Sequence, residues 1–333
     1  MAKVYISKID TNYEDAVQSA LKFLYWESII PRGVKVFIKP NLTYPTYSPG
    51  VTTSPEFIEA VIKVISSRTD KIIVGESDGG YRGWPADMAF KGHNLLDICK
   101  KYGVRLINLS TQPCTSFSLN LSKGKINLKL PTLLMAEIDV FITLPVPKIH
   151  QVTTFSGAIK NQWGCIPDSM RLLNHPYFDE LILEINRLLK VRLALADGKY
   201  FLNKTGPMLG GIPVFKNLII GSNSIGALDA VLCQIMGINY NNIRYLRFAS
   251  KNGWIPPEEN TKINISPDIY YDQKFYLKRS LRSRFVCWAF DRPWAVKMIW
   301  DSLLGAYIHR LLYLIAGNPV KDIVKEMENI KGM

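Results

Sequence analysis

The sequence lacks the cysteine clusters that mark structural zinc sites and disulfide frameworks. Its five cysteines are widely spaced, and none belongs to a Cys-x-x-Cys pair. A disulfide framework and a structural zinc site both need clustered cysteine spacing, so the sequence supports neither class. Unpaired cysteines are typical of a reducing compartment. We therefore expect a cytoplasmic protein, with attachment to the inner face of the membrane as the alternative.

Long apolar runs and the common nucleotide motifs are missing as well. No segment offers about 18 uncharged apolar residues, and no run of signal-peptide length precedes the first acids. No Gly-x-x-x-x-Gly-Lys-Ser/Thr motif occurs, and no Gly-x-Gly-x-x-Gly follows the first candidate strand. These absences disfavour export, a spanning helix, a P-loop NTPase and a standard dinucleotide-binding fold.

What the sequence does contain is typical of a folded protein with an excess of positive charge. Of its 333 residues, 47% are hydrophobic and 11% aromatic, which excludes disorder. Lys and Arg number 41 against 28 Asp and Glu, a net charge of +13. Nucleic acid, an anionic membrane or a small anion would each fit this excess, and total charge does not choose among them.

Short β-branched runs alternate with helix-length segments. The candidate strands are Val4–Ile6, Val34–Ile38, Lys71–Val74, Val104–Leu109, Val140–Leu144, Leu193–Ala196 and Leu218–Ile220. The candidate helices include Tyr13–Trp26, Pro55–Ser67, Leu95–Tyr102 and Tyr177–Leu189. Ser54 and Ser224 are expected to cap helices with their hydroxyls. This alternation predicts an α/β fold with a mainly parallel sheet and flanking helices.

Two interruptions divide the chain. Ser116–Leu121 and Ile126–Leu130 alternate on either side of a polar turn, which predicts a β-hairpin inserted at 116–130. After about residue 265 the strand signal ends. We therefore expect an α/β domain over 1–265 and a helical, basic and aromatic C-terminal extension over 266–333.

Polar residues after the second candidate strand predict an anion site. Lys39 and Asn41 follow the strand, and Thr52 and Thr53 precede a predicted helix start. A lysine, an amide, two hydroxyls and a helix N-terminus together can hold a carboxylate or phosphate. The alternative is that Thr53 and Ser54 only cap the helix while Lys39 is solvated.

Two further strand ends combine a carboxylate with glycine. Asp78 and Gly79 follow the third candidate strand, beside Glu76, and Asp197 and Gly198 follow a later one. Glycine lets a ligand or a divalent metal approach the backbone closely, so the two aspartates are candidate metal ligands. A plain turn uses the same residues, so this alternative stays open.

The densest candidate segment follows Val140–Leu144. It contains Lys148, His150, Lys160 and Asn161 among apolar and small residues. A lysine near apolar surroundings can lose its proton and act as a base or nucleophile, and a histidine can relay protons. We therefore expect Lys160, His150 and Lys148 to be catalytic and Asn161 to bind substrate. A structural histidine is the alternative for His150, and His175 is a further loop candidate.

These segments, in this order, resemble the family called domain of unknown function 362. The matching stretches lie within residues 34–252 and include 39–41, 50–56, 75–79, 145–150, 156–161, 164–167, 197–198, 206–207 and 228–230. The resemblance implies no assigned activity. Some members carry ferredoxin-type cysteines, which this chain lacks, so an iron–sulfur cofactor is not implied and the cofactor stays unknown.

A local resemblance also runs to the nickel-pincer lactate racemases. In that family a Ser/Thr-Gly-Gly-x-Lys step supplies a lysine that bonds to the cofactor. The segment from Ser156 to Lys160 is similar, with Ala158 in place of the second glycine. His150 and His175 match the histidines of those enzymes only in part. The resemblance singles out Lys160 among the lysines.

The C-terminal region carries much of the positive charge. Residues 274–310 contain eight basic and two acidic residues beside a series of tryptophans and phenylalanines. Helical spacing of the apolar residues over 274–316 suits an anionic membrane surface, packing on the core or on a second copy of the chain. Nucleic acid ranks last because no recognised binding module accompanies the charge.

Together these features predict an enzyme that binds a small carboxylate or phosphate in a cleft of strand-end loops. Oxidoreductase or racemase-like chemistry fits the lysines and the histidine best. The alternative is a non-catalytic protein that binds an anionic ligand and docks to a membrane or a protein partner through its C-terminal region.

Overall fold

A computed structural model describes residues 1–307, apart from residues 82, 209, 280, 304 and 306. The strands are β1 Ala2–Lys8, β2 Val36–Pro40, β3 Ile72–Glu76, β4 Arg105–Asn108, β5 Cys114–Leu121, β6 Gly124–Pro131, β7 Val140–Leu144, β8 Lys148–His150, β9 Thr154–Ser156, β10 Val191–Asn203, β11 Ile212–Ser222 and β12 Thr261–Ile263. The helices are α1 Tyr13–Phe23, α2 Trp26–Ile29, α3 Pro55–Ser66, α4 Ala86–Gly92, α5 Leu95–Lys101, α6 Leu133–Ala136, α7 Ala158–Asn161, α8 Phe178–Leu189, α9 Ile225–Ile235, α10 Arg244–Lys251, α11 Leu281–Phe290 and α12 Pro293–Trp300.

The main sheet has the strand order β12-β1-β11-β10-β7-β2-β3-β4. The run from β10 to β4 is parallel throughout, whereas β11 is antiparallel to both of its neighbours. From β2 the chain moves outward to β3 and β4 and then returns to β7 on the other side of β2. The strand order therefore reverses between β2 and β7, the place where ligands bind in open α/β sheets.

Alternating side chains along the central strands build a separate core on each face of the sheet. In β2, Phe37 packs into the core beneath α8 and α9, whereas Val36 and Ile38 pack into the core beneath α1 and α3. Because successive strand residues point to opposite faces, both faces must be covered by helices. The result is a three-layer α/β/α arrangement, which confirms the predicted fold class.

Several local predictions are confirmed. The hairpin of β5 and β6 pairs from Cys114 with Pro131 to Leu121 with Gly124. Val140–Leu144 forms β7 with the predicted bounds. The Ser224 hydroxyl accepts a hydrogen bond from the Ala227 N–H, which caps α9.

The prediction for the Ser54 hydroxyl is wrong. Ser54 occupies the N-cap position of α3, but its side chain makes no capping hydrogen bond. The hydroxyl instead donates to Asp197 Oδ2 at 2.7 Å, and the Ser54 N–H donates to the same oxygen at 2.8 Å. The hydroxyl and the backbone N–H of Ser54 are thus both directed at the Asp197 carboxylate, which is a strong acceptor.

The division into residues 1–265 and 266–333 stays a prediction. Helices α11 and α12 fall in the second part, and residues 308–333 lie outside the described part of the chain. No helix among the described residues is long and apolar enough to cross a membrane.

Candidate functional site

A cavity of about 90 Å³ lies at the carboxyl ends of β2 and β3. Its lining combines charged, amide and hydroxyl groups with one aromatic ring. The lining residues are Lys39, Asn41, Leu42, Thr43, Glu76, Ser77, Asp78, Gly79, Gly80, Ser156, Lys160, Asn161, Trp163, Gly164 and Arg171. Since a water needs at least about 10–15 Å³ by this measure, the cavity has room for about six waters or one small ligand.

A buried ion pair forms one wall of this cavity. Lys39 Nζ lies 2.5 Å from Glu76 Oε2, and both side chains are almost fully buried. The Lys39 ammonium also donates to the Pro40 carbonyl at 2.8 Å, while Glu76 Oε2 accepts from the Leu42 N–H at 3.1 Å. The pair therefore joins β2, β3 and the loop after β2, and Lys39 is not solvated.

Gly164 packs directly against this ion pair. A Cβ atom at this position would lie 2.6 Å from Glu76 Oε1 and 3.0 Å from Lys39 Nζ. A side chain at this position would therefore displace the ends of the Glu76 and Lys39 side chains, so glycine lets the loop close over the pair in its present geometry.

Lys160 provides a reactive amine in the cavity. No ion pair or hydrogen bond involves its Nζ among the described residues, although the side chain is partly buried. Burial and, to a smaller extent, the nearby positive charge of Arg171 together lower the pKa of Lys160 to about 7. A large fraction of this amine is therefore neutral near pH 7, which a base or a nucleophile requires.

The short helix α7 that carries Lys160 is held from its N-terminus by a buried carboxylate. Asp229 on α9 accepts hydrogen bonds from the Ala158 N–H at 2.5 Å and the Ile159 N–H at 3.0 Å. The Asp229 carboxylate lies so close to Gly157 that a Cβ there would be 2.2 Å from Oδ1. Burial raises the pKa of Asp229 to about 7, although the two N–H groups oppose this rise.

A chain of amide groups fixes the other side of α7. Asn161 Nδ2 donates to the Lys39 carbonyl at 3.2 Å and to Thr143 Oγ1 at 2.8 Å. Gln162 Nε2 donates to Asn186 Oδ1 at 2.6 Å, and Asn186 Nδ2 donates to the Ile159 carbonyl at 2.9 Å. The network ties α7 to β2, β7 and α8, so the position of Lys160 is set by the core.

Replacing Asp229 with alanine is expected to lower the free energy of unfolding by about 1–3 kcal/mol. Two buried N–H groups then lose their acceptor, an effect partly offset by removal of a buried carboxylate. The folded pKa of about 7 exceeds the ordinary 3.8, so the folded protein holds the extra proton between these values. The stability that Asp229 contributes should therefore shrink as the pH rises from about 4 to 7.

Urea denaturation of both proteins at several pH values tests this expectation. Asp229→Asn keeps one acceptor oxygen and serves as the matched control, with a smaller loss than Asp229→Ala. A difference between wild type and Asp229→Ala that grows with pH would contradict the raised pKa of this carboxyl.

Arg171 lines the cavity beside the loop that follows β3. Its Nη2 donates to the Asp78 carbonyl at 2.8 Å, and its Nη1 lies 3.3 Å from the Asp168 carbonyl. The Asp78 carboxylate accepts from the Ala86 N–H at 2.8 Å and from Asn108 Nδ2 at 2.9 Å. Arg171 is thus anchored to backbone carbonyls, and it adds a positive charge beside Lys160.

Lys148 and His150 lie outside this lining. Lys148 Nζ donates to the Val51 carbonyl, and burial followed by the charge of Lys160 lowers its pKa well below the usual value. His150 Nδ1 accepts from the Val152 and Thr153 N–H groups at 3.2 and 3.3 Å. Burial, then the charge of Lys160, also lowers the pKa of His150. Both side chains lie on or beside β8, which forms a short hairpin with β9.

Thr52 and Thr53 hold the loop that precedes α3. Thr52 Oγ1 accepts from the Ser48 N–H at 3.0 Å. Thr53 Oγ1 accepts from the Asn41 N–H and donates to the Leu144 carbonyl, each at 2.8 Å. Neither hydroxyl is part of the cavity lining.

Asp197 and Gly198 also lie away from the cavity. Asp197 Oδ1 accepts from the Tyr13 hydroxyl at 2.8 Å, while its other oxygen accepts from Ser54. A Cβ at Gly198 would lie 2.6 Å from the Leu218 carbonyl oxygen, so close strand pairing explains this glycine.

The cavity thus brings together five of the predicted binding and catalytic residues, namely Lys39, Asn41, Gly79, Lys160 and Asn161. It adds Arg171 and Trp163, which sequence reasoning did not propose. The sequence could have indicated Trp163 as a site residue, because it lies between Lys160 and Gly164. Arg171 had no such signal, because it begins a 3₁₀ helix, Arg171–Tyr177, far from any strand end.

The two predicted metal ligands do not meet. Asp78 lines the cavity, whereas Asp197 is held by Tyr13 and Ser54. In the part of the chain that the structure describes, no group of three or more His, Cys, Asp and Glu side chains is placed to hold a metal ion.

A larger hollow of about 520 Å³ lies between α1 and α3. Four of its charges form surface ion pairs: Lys63 Nζ lies 2.5 Å from Glu14 Oε2, and Lys101 Nζ lies 2.7 Å from Glu59 Oε1. The lining also contains Glu56 and Lys199.

Comparison with known proteins identifies the family of this chain. A thylakoid-associated protein of Synechocystis sp. is 24% identical over 286 residues, which cover 78% of this chain and 84% of the relative. A crystal structure of a Thermotoga maritima protein aligns with a TM-score of 0.40 and 14% identity, covering 62% of this chain and 54% of that one. The family model described as Domain of unknown function (DUF362) matches residues 36–234, more than half of the chain. The chain therefore belongs to this family, Domain of unknown function (DUF362).

Proposed function

We propose that the protein is an enzyme that binds a small carboxylate or phosphate compound in the cavity beside Lys160. The supporting observation is an amine with a pKa of about 7 and no described partner, placed in the same small cavity as Arg171. The Arg171 guanidinium would hold the anionic group, and the neutral Lys160 amine would take a proton from the substrate or bond to it.

Racemase-type proton abstraction fits this cavity better than hydride transfer. A volume of about 90 Å³ accommodates a small hydroxy or amino acid, and it is far smaller than a nicotinamide dinucleotide requires. An arginine bound to the carboxylate would also stabilise the negative charge that develops when the adjacent carbon loses its proton.

Binding of an anion is expected to draw a proton onto Lys160. At pH 8 the amine is mostly neutral in the free protein, because its pKa is about 7. A phosphate or carboxylate placed beside it favours the charged form, so binding should take up a fraction of one proton, and the amine that stays neutral remains available as a base. Calorimetric titration with inorganic phosphate and with lactate, in buffers of different ionisation enthalpy, measures this number.

Two lysine variants make the test specific. Lys160→Met should abolish the proton uptake, and Lys251→Met, at an exposed position on α10, should leave it unchanged. Proton uptake of the same size in Lys160→Met would contradict the assignment of this amine.

Exchange in D₂O then tests for catalysis. Small 2-hydroxy and 2-amino acids are incubated with the protein. NMR then follows the loss of the signal from the hydrogen on the carbon atom next to the carboxylate. We expect at least one substrate to exchange, with Lys160→Met reducing the rate by about 10²–10⁴-fold, the usual effect of a general base.

A second candidate function is a non-catalytic carrier or sensor of the same anion. The observation that favours it is that both acids of the cavity are engaged, Glu76 by Lys39 and Asp78 by Asn108. Proton uptake on binding without exchange of any substrate would indicate this function. The name of the Synechocystis relative, a thylakoid-associated protein, supports work at a membrane surface for either candidate.

A further inference from the structure

One face of helices α11 and α12 is buried against the rest of the protein, and the opposite, aromatic face is exposed. On the inner face Ala289, Ala295 and Val296 are fully buried. Phe290 stacks on His175 at 4.4 Å between ring centroids. The helix pair is therefore anchored to the α/β body through its inner face.

The outer face carries a cluster of exposed rings. Phe285 is 56% exposed, Trp288 40% and Trp294 58%. Phe285 stacks on Trp288 at 5.8 Å, and Trp288 meets Trp294 edge-on at 5.8 Å. Met298 is also exposed on α12. Three neighbouring rings and a methionine form an apolar patch, which marks an interaction surface more than scattered single residues do.

Positive charge surrounds this patch. The Arg292 guanidinium lies 4.5 Å from the centre of the Trp288 ring and donates to the Trp288 carbonyl. Arg284 and Lys297 are exposed on the same two helices. Of the two acids between residues 274 and 310, Asp291 pairs with Arg244 and is not free to balance the basic residues.

We propose that this aromatic and basic face docks on an anionic lipid bilayer. Tryptophan rings combine a large apolar surface with an N–H donor and prefer the boundary between headgroups and acyl chains. Each Lys or Arg near an anionic leaflet adds attraction of about 1 kcal/mol, which falls off with salt. A second copy of the chain would bind this face less favourably, because it would bring two positively charged faces together.

This inference does not depend on the function proposed for the cavity, because the two regions use different side chains. The described helices α11 and α12 are too short to span a bilayer, so the contact is peripheral. The aromatic rings would enter the headgroup region, while the inner face of the helix pair keeps its contact with His175.

Vesicle flotation of the full chain tests the proposal. Vesicles of phosphatidylcholine alone are compared with vesicles that contain about one third phosphatidylglycerol, an anionic lipid, at low and high salt. We expect the protein to float with the anionic vesicles at low salt, to stay unbound to the neutral ones, and to be released at high salt. Failure to float with anionic vesicles at low salt would overturn the proposal.

Substitutions test whether the aromatic and basic face is the one that binds the vesicles. Trp288→Ala with Trp294→Ala, and separately Arg284→Glu with Lys297→Glu, should each weaken binding about tenfold or more, because lipid attraction needs both apolar contact and positive charge. Phe215→Ala removes an equally exposed ring on β11 and should leave vesicle binding unchanged.

If this face binds a second copy of the chain or another part of the same chain instead of lipid, the experiments give different results. A second copy would show as a dimer by light scattering that the tryptophan variants dissociate, with no flotation. Coverage by residues 308–333 would make the tryptophan variants unfold at lower temperature while vesicle binding stays at its original strength. Either result overturns the lipid proposal.

Discussion

Replacing Glu76 with glutamine is expected to lower the free energy of unfolding by about 3–5 kcal/mol. Lys39 is fully buried, and the carboxylate that balances its charge lies 2.5 Å away. Glutamine has nearly the same shape but no charge, so the ammonium would remain in the interior without its counter-ion. Urea denaturation at pH 7 measures the loss.

A surface ion pair of the same geometry provides the control. Lys63 Nζ and Glu14 Oε2 are also 2.5 Å apart, but both side chains are about half exposed. Glu14→Gln should therefore change the free energy of unfolding by no more than about 1 kcal/mol. Removing both buried charges, as in Lys39→Met with Glu76→Leu, should recover much of the loss, since no unpaired charge remains. Equal losses for Glu76→Gln and Glu14→Gln would contradict the burial of the first pair.

The Lys160 amine is expected to be modified at pH 7 far faster than an ordinary lysine. With a pKa of about 7 roughly half of it is neutral, whereas a lysine with a pKa of about 10.4 is neutral in fewer than one molecule in a thousand. The rate of carbamylation by cyanate, a reagent small enough for the cavity, should rise with a midpoint near pH 7. Peptide mass spectrometry after brief labelling gives the rate at each lysine.

Arg171 provides a variant for this labelling experiment, and Lys251 provides an internal reference. Because the charge of Arg171 helps to lower the pKa of Lys160, Arg171→Gln should move the labelling midpoint to higher pH. The exposed Lys251 serves as the internal reference in every sample. A midpoint near pH 10 at Lys160 in the wild type would disprove the burial of this amine.

Much of the fold was predictable because hydrophobic periodicity is a local signal. The bounds of β7 followed from a short apolar, β-branched run, and the presence of the β5–β6 hairpin followed from alternation. The short pairing of Lys148–His150 with Thr154–Ser156 was not predictable, because three-residue strands show no periodicity. The Ser54 hydroxyl was misjudged since its partner, Asp197, is distant in sequence.

The candidate site was predictable only where its residues follow strands. Lys39 lies in β2 next to its last residue, and Asn41 directly follows β2; both line the cavity, as expected of the carboxyl ends of parallel strands. The hydroxyls of Thr52 and Thr53 follow the same strand, yet they bond to backbone groups of their own loop and of β7. Composition cannot distinguish a side chain that binds a ligand from one that holds a loop. Arg171 shows the reverse case, a residue that enters the site from a 3₁₀ helix without any motif.

The placement of β1 has a consequence for how the chain folds during synthesis. This strand is made first, but its neighbours in the sheet, β11 and β12, begin roughly 200 residues or more later. At about 5–20 residues per second, β1 waits about 10–40 s for its native partners. During that time Val4 and Ile6, both buried in the folded protein, are left without their native neighbours. Changes near this strand should therefore alter the yield of folded protein more than the chemistry of the cavity, which β1 does not line.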